Sequence, residues 1–233
     1  VIPTKNEVQD LPRAIKSLKP LVSEILVVDS GSSDDTPVLA QKLGAKVLHF
    51  PLTDFASTRN FADQHGAHDW ILSLDADMEL TPPLLEEIRA LPDTPAVYRI
   101  GRLNFIWGKP IYHTDWSPVD DCHIRLYHRS LGHWQGLVHE QFVSPKTPIT
   151  LNHYFIHHNY QSVTEFIDKL NFYSQLSAPN HHFSWFSFFW TPFRDSFKRY
   201  IYKLGFLDGY RGLFLSYLQA IYYLSVGIKQ RSS

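Results

Sequence analysis

The 233-residue chain is short of cysteine, of net charge and of long apolar runs. Cys122 is its only thiol, so no internal disulfide can form and no cysteine cluster can hold a metal, which would need several thiolates at tight spacing. That scarcity fits a reducing, cytoplasmic setting. The formal net charge is −1, and no basic run has the density of a nucleic-acid footprint. The uncharged stretch Gly212–Ile228 carries Ser216, Gln219, Ser225 and several tyrosines. It falls short of the roughly 20 mostly apolar residues of a spanning helix and reads as buried or interfacial. No basic segment followed by an apolar run opens the sequence, so no signal peptide is visible. The first strand, starting at Val1-Ile2, reads as one that a few residues precede.

Hydrophobic residues make up 44% of the chain and charged ones 19%, the composition of a folded protein. The length suits one large domain or a domain with an appendage. Charge is unevenly spread. From Asn180 onward seven Lys and Arg face Asp195 and Asp208, a net +5 that leaves −6 on the first 179 residues. The same region is aromatic: 16 of the 34 Phe, Trp and Tyr residues lie between Phe183 and Tyr223. An aromatic and basic tail suggests a membrane surface, with Arg194, Lys198, Arg199 and Lys203 facing anionic lipid at about 1 kcal/mol each. The alternative is packing against the rest of the chain or a second subunit, since aromatics also dominate cores and interfaces.

The first 95 residues alternate strand-like and helix-like segments. Val1-Ile2 precedes a loop and then Leu11, Ile15 and Leu18 at helical spacing; Ile25 to Val28 is a β-branched run. Asp34-Asp35-Thr36-Pro37 offers capping oxygens and a first-turn proline, and Gly44 ends the helix before a short strand around Lys46-Val47-Leu48. A third helix is predicted near Phe55 to His65, and Trp70 to Leu74 reads as a buried strand. This βαβαβ order implies a parallel sheet with helices on both faces. After the helix start Thr81-Pro82-Pro83, strand-like pieces around Val97–Ile100, Cys122–Tyr127 and Ile149–Phe155 predict a mixed sheet. An amphipathic helix is predicted from Val163 to Gln175.

Ligands of open parallel sheets bind beyond the carboxyl ends of the strands. Three loops there hold polar residues: Pro3-Thr4-Lys5-Asn6-Glu7, Asp29-Ser30-Gly31-Ser32-Ser33-Asp34 and Asp75-Ala76-Asp77. Singly, such residues make turns and caps. Together they read as a nucleotide pocket beside a cation site, because paired carboxylates suit Mg2+ or Mn2+, which neutralise a departing diphosphate.

These motifs, with Ala56-Ser57-Thr58-Arg59-Asn60 between them, resemble in order and spacing those of the family 2 glycosyltransferases of GT-A fold. The resemblance implies a mainly parallel, Rossmann-like mixed sheet flanked by helices: a catalytic domain at 1–178, with a nucleotide-sugar half at 1–95 and an acceptor half at 96–178. A helical, aromatic and basic extension would follow at 179–233, associating with membrane or packing on the domain. By the same resemblance Thr4, Glu7 and Asp29 contact the base and ribose of a UDP-sugar, helped by Pro3, Asn6 and Ser30. Arg59, with Asn60 beside it, lies near the base or diphosphate. Asp75, Ala76 and Asp77 form the metal motif for Mg2+ or Mn2+, with Asp77 as direct ligand. Apart from the resemblance, His157, in a run of two imidazoles after a strand, reads as a further ligand to metal or phosphate, with a merely hydrogen-bonded histidine as the alternative.

Further segments are similar to the subgroup of lipopolysaccharide inner-core β-1,4-glucosyltransferases: Trp134 to Glu140, Ile156 to Tyr160 with Lys169, Tyr173 and Ser174, and Gly205 to Gly212. The implied reaction is inverting transfer of a sugar, glucose by resemblance, to a lipid-linked glycan at the inner face of the inner membrane; another bacterial surface glycan is the alternative acceptor. Inversion needs a base on the acceptor side of the anomeric carbon. Glu140, beside His139, is the first choice, with Asp120 and Asp121 as alternatives; a structural pairing of Glu140 with His139 or Arg125 is the competing role. Two rival functions are a haloacid-dehalogenase-type phosphatase, whose motif wants Thr or Val where Glu79 stands, and an inactive sugar-nucleotide-binding protein.

Overall fold

A computed structural model describes residues 1–51, 54–136, 140–177 and 183–232. Strands β1 (Ile2–Thr4), β2 (Leu26–Asp29) and β3 (Lys46–His49) pair in parallel in that order, with α1 (Leu11–Leu18) and α2 (Thr36–Lys42) as crossovers. Leu11, Ala14, Ile15 and Leu18 recur on one face of α1 and all are buried. Each of the larger three is worth roughly 1.5–3 kcal/mol against leaving it exposed. The cap of α2 comes from Asp34 rather than Asp35: its Oδ1 accepts from Thr36 N at 3.0 Å. Gly44, at φ 86°, turns the chain out of α2 in a left-handed conformation that a side chain would resist. Asp54 caps α3 (Phe55–His65), accepting from Ser57 N at 2.7 Å.

Strand β4 (Trp70–Leu72) lies parallel beside β1, since Val1 N donates to Leu72 O at 2.8 Å and Leu74 N to Val1 O at 3.0 Å. Beyond β4 the sheet becomes mixed. It runs through β8 (Cys122–His128), β6 (Val97–Ile106), β11 (Ile149–Tyr160) and β5 (Met78–Glu79), and the pairs β4–β8, β6–β8 and β5–β11 are antiparallel. Helix α4 (Pro82–Arg89) starts at Thr81, whose side chain accepts from Leu84 N. Strand β7 (Lys109–Pro110) folds back on β6, while β9 (His133–Gln135) and β10 (Gln141–Val143) form a separate antiparallel pair. Strands β6 and β11 extend past the predicted ends at Ile100 and Phe155, because ladder pairing tolerates the polar residues that break the apolar pattern.

Residues 1–102 with 122–157 form one compact unit, and residues 103–121 with 158–233 form another. The first has its core in Ile2, Leu11, Ile15, Leu72, Leu74, Tyr98, Ile100 and Phe155. The second contains α5 (Val163–Ser177), α6 (Trp185–Phe197) and α7 (Gly209–Ser232) around Ile106, Ile111, Tyr160, Phe166, Leu170, Leu215 and Leu218. Within it Gly212 sits against the backbone of Gly205, where an added Cβ would come within 1.8 Å of the carbonyl oxygen. Asp208 accepts from Tyr112 N and His113 N at 3.1 and 3.0 Å. This accounts for two features of the Gly205–Gly212 motif as scaffold.

Three of the four cations expected at a lipid surface are instead engaged inside this unit: Arg194 with Asp195, Arg199 with Asp115, and Lys203 with Asp115 and Asp120. The aromatics are not so engaged, and Phe186, Phe189 and Phe193 on α6 are 75%, 67% and 63% exposed. Among the described residues no helix is long and apolar enough to cross a membrane.

Candidate active site

The carboxyl ends of β1, β2 and β4 carry the three polar loops, and the first two are knitted together. Asn6, held at φ 58°, donates its backbone N–H to Ser32 Oγ at 2.9 Å and accepts from Ser33 N at 2.8 Å. Glu7 N donates to Thr36 Oγ1 at 2.8 Å. Thr4 and Ser30 are buried, and Ser30 N donates to Thr4 O; Pro3 stands opposite Val28 in the ladder. Asp29, also buried, accepts from Gly31 N at 3.2 Å and Ser32 N at 3.3 Å, with His49 Nδ1 3.2 Å away. The predicted nucleotide residues of the first two loops are therefore held together by one network of backbone and side-chain hydrogen bonds.

Asp75 and Asp77, with buried Ala76 between them, take different partners. Asp75 accepts from Arg59 Nη2 at 2.7 Å and from Arg125 at 2.9 and 2.7 Å, with Arg102 Nη1 3.9 Å away. Burial alone would raise the Asp75 pKa, but Arg125, Arg59 and Arg102 hold it well below the usual carboxylate range. Asp77 faces a different environment. Its Oδ2 is 3.2 Å from His157 Nε2, and its Oδ1 is buried without a hydrogen-bond partner. A buried carboxylate oxygen left unpaired costs about 1–3 kcal/mol or more, and together with an imidazole it makes a donor set that fits a divalent cation. Among the described residues no three His, Cys, Asp or Glu side chains converge as a ready-made metal cluster. Asp77 and His157 therefore present two neighbouring donor groups, while Asp75 is turned to its arginines.

Arg59, buried on α3, uses each guanidinium nitrogen on a different acceptor: Nε on Glu140 Oε1 at 3.0 Å, Nη1 on Ser73 Oγ, and Nη2 on Asp75 Oδ1. Its guanidinium lies 4.9 Å over the Trp134 ring. Burial opposes its charge, yet Asp75 and Glu140 raise its pKa beyond the ordinary arginine value. The next residue, Asn60, grips the same strand by donating to Trp134 O at 2.9 Å and accepting from Trp134 N at 2.8 Å. Glu140 thus pairs with Arg59, not with Arg125; His139 lies outside the described residues. Asp120 and Asp121, the alternative bases, are held in the second unit by Lys203 at 2.9 Å and by Asn104 at 2.7 Å.

Sequence reasoning missed Ser73 and Arg102 and the buried pair Asp63 and Tyr127 behind Arg59; it named Arg125 only as a competing partner of Glu140 and Trp134 only as part of a motif. Charged residues recurring within the otherwise apolar β6 and β8 were the available signal. A cavity of about 690 Å³ lined by Leu18, Ile25, Trp70, Ile88 and Leu126 contains none of the site residues. It opens at the amino ends of the strands, the end opposite to ligand sites in such sheets.

Comparison with known proteins agrees with this architecture. Residues 1–131 match the sequence model of Glycosyl transferase family 2. The chain is 33% identical over 190 residues to an uncharacterized glycosyltransferase of Rickettsia felis, covering 75% of this chain and 66% of that one. It thus spans just under two thirds of that relative's length. It is 29% identical over 148 residues to the lipopolysaccharide core biosynthesis glycosyltransferase LpsC of Rhizobium meliloti, covering 59% of this chain and 54% of LpsC. Among solved structures it is similar to S. aureus TarS, with TM-score 0.48 and 15% identity over 94% of this chain and 48% of that one. A mycobacterial glucosyl-3-phosphoglycerate synthase, solved with Mn2+ and UDP, gives TM-score 0.37 and 24% identity over 45% of this chain and 42% of that one. With the family sequence model matched over more than half its length, the chain belongs to the family 2 glycosyltransferases and has their GT-A fold.

Proposed function

We propose that this glycosyltransferase moves a sugar, glucose in the first instance, from a UDP-sugar to a lipid-linked glycan such as the lipopolysaccharide inner core, with inversion at the anomeric carbon. The observation that carries the reading is Asp77: a buried carboxylate oxygen without a partner, beside His157, at the carboxyl end of the sheet. Asp77 and His157 would hold Mn2+ or Mg2+, and the bound cation would supply positive charge to the departing diphosphate. The imidazole tilts the set toward Mn2+, since Mg2+ prefers oxygen.

The chain's own groups divide the remaining work. The loops at 3–7 and 29–33 bind the nucleotide, and Glu140 is the base. An acceptor hydroxyl oxygen bonds to the anomeric carbon as its proton passes to a Glu140 oxygen. The bond from that carbon to the diphosphate breaks on the opposite face, and UDP leaves with the electron pair. Asp75 serves through its arginines, which fix the floor of the site. Those arginines also disfavour the phosphatase alternative, whose nucleophile would be an aspartate in this position with a free oxygen. The exposed aromatics of α6 support work at the inner face of the inner membrane, where a lipid-linked acceptor is presented.

The test is UDP release from UDP-glucose, with heptose-terminated lipopolysaccharide as acceptor, measured in Mn2+, in Mg2+ and in chelator. Acceptor-stimulated UDP release that stops in chelator supports the reading. Release of orthophosphate, or UDP release indifferent to acceptor and cation, overturns it.

A further inference from the structure

We infer that Arg59 is a positioning residue for Glu140, not a donor ligand, and that it ties the position of Glu140 to that of Asp75. The inference rests on the reading of Glu140 as the base. Three features support it. First, every guanidinium nitrogen is engaged: Nε, Nη1 and Nη2 each donate one hydrogen bond, to Glu140, Ser73 and Asp75, three acceptors contributed by different segments. Three of its five N–H donors, one on each nitrogen, fix the plane of this rigid fork on protein acceptors rather than leaving it free to turn to a diphosphate.

Second, the side chain is clamped from the other side. The Trp134 ring lies 4.9 Å from the guanidinium, and Trp134 itself is fixed by both polar atoms of the Asn60 amide. Its indole N–H donates to Tyr127 Oη at 2.9 Å, and Tyr127 in turn donates to Asp63 on the same helix. Arg59 and Asn60 thus act as a bracket: adjacent residues on α3 set the strand before Glu140 and the carboxylate of Glu140 together.

Third, Glu140 and Asp75 share the one cation unequally. Asp75 has Arg125 and Arg102 as well, whereas Glu140 is ion-paired with Arg59. Losing Arg59 therefore leaves Asp75 anchored and removes the contact that aims Glu140. Lysine at this place keeps the charge and loses the fork, so a single ammonium cannot span the three acceptors.

The experiment compares Arg59→Lys, Arg59→Ala, Glu140→Gln and the double variant Arg59→Ala/Glu140→Gln for kcat and UDP-glucose KM, with calorimetric UDP binding in Mn2+. Expected are a kcat loss of about 100-fold or more in both Arg59 variants and a donor KM within about threefold of wild type. UDP binding is retained, and Arg59→Ala adds little further loss in the Glu140→Gln background because the two act as a unit. Should Arg59→Ala fail to fold, Arg59→Lys carries the kinetic and binding comparison alone. The inference is overturned if Arg59→Lys keeps its kcat, if its main effect is a KM rise of about tenfold or lost UDP affinity, or if the two losses multiply. Full activity in Glu140→Gln would instead overturn the reading of Glu140, a separate outcome.

Discussion

Tyr127 donates its hydroxyl to both carboxylate oxygens of Asp63 at 2.9 Å, in a buried pocket directly behind the Arg59 bracket. Burial pushes the Asp63 carboxyl up to about 6, against the pull of the Tyr127 hydrogen bond and nearby positive charge. The native state therefore holds this proton more tightly than the unfolded chain, whose Asp titrates near about 3.9. The stabilising contribution is complete below about pH 4 and is lost as pH rises through about 6, amounting to about 3 kcal/mol. Asp63→Asn removes the titration while keeping an acceptor for Tyr127. Denaturant unfolding from pH 4 to 7.5 is expected to show the variant gaining on wild type by that order across pH 4–6.5. A difference that stays flat with pH would contradict the assignment.

Asp77→Ala is expected to leave the thermal midpoint unchanged or slightly raised, because a buried carboxylate oxygen without a partner disappears along with the His157 contact, and to lower cation-dependent turnover by orders of magnitude. His157→Ala should weaken Mn2+ binding in the same direction with a smaller effect. Calorimetric Mn2+ titration beside turnover checks both. Full activity of Asp77→Ala in metal-replete buffer would remove Asp77 from the site.

Glu140→Gln is isosteric but cannot accept the acceptor's proton, so transfer should fall about 100 to 10,000-fold while UDP-sugar binding persists. Calorimetry and turnover on one preparation decide it. Turnover that is unchanged would move the role to another carboxylate.

Gly212→Ala should destabilise the chain, although a Gly-to-Ala change inside a helix ordinarily stabilises by about 0.5–1 kcal/mol. The added Cβ would meet the Gly205 carbonyl oxygen at 1.8 Å, a backbone atom that cannot step aside as a side chain would. Overpacking of this kind costs about 1–3 kcal/mol or more. A thermal melt with a lowered midpoint is the expected result, and a raised midpoint would show that α7 shifts freely.

The exposed aromatics of α6 predict vesicle binding that survives high salt, since Arg199 and Lys203 are spent on Asp115 and Asp120 and leave few cations for lipid. Surface charge attraction, by contrast, fades within a Debye length of about 8 Å at physiological salt. Co-sedimentation with neutral and anionic vesicles at two salt concentrations checks this, with Phe186→Ser/Phe189→Ser/Phe193→Ser expected to stay in solution. Wild-type protein that ignores both vesicles even at low salt would make α6 a packing surface instead.

The first 95 residues were legible because their information is local. Apolar periodicity marked α1, capping residues marked α2 and α4, and polar residues after strands marked the loops where Thr4, Asp29 and Asp77 sit. The roles inside the site were less legible. Asp75 and Asp77 look equivalent in sequence, and only the register of β8 against β4, which brings Arg125 beside Ser73, separates them. Arg59 and Glu140 are 81 residues apart, and their pairing depends on Trp134 being held by Asn60, a contact no spacing rule reports. The fate of Arg199 and Lys203 was hidden likewise, because Asp115 and Asp120 belong to a distant loop recruited into the second unit.

The central claim is that Asp77 and His157 hold the cation of a donor bound at the first two loops. Crystals grown with UDP and Mn2+, measured at a wavelength where manganese scatters anomalously, test it most directly. The expected result is one anomalous peak bridging Asp77, His157 and the diphosphate, with the uridine against Thr4, Glu7 and Asp29 and with Arg59 still on Glu140. A manganese peak away from Asp77, or UDP bound elsewhere than the loops at 3–7 and 29–33, would contradict it.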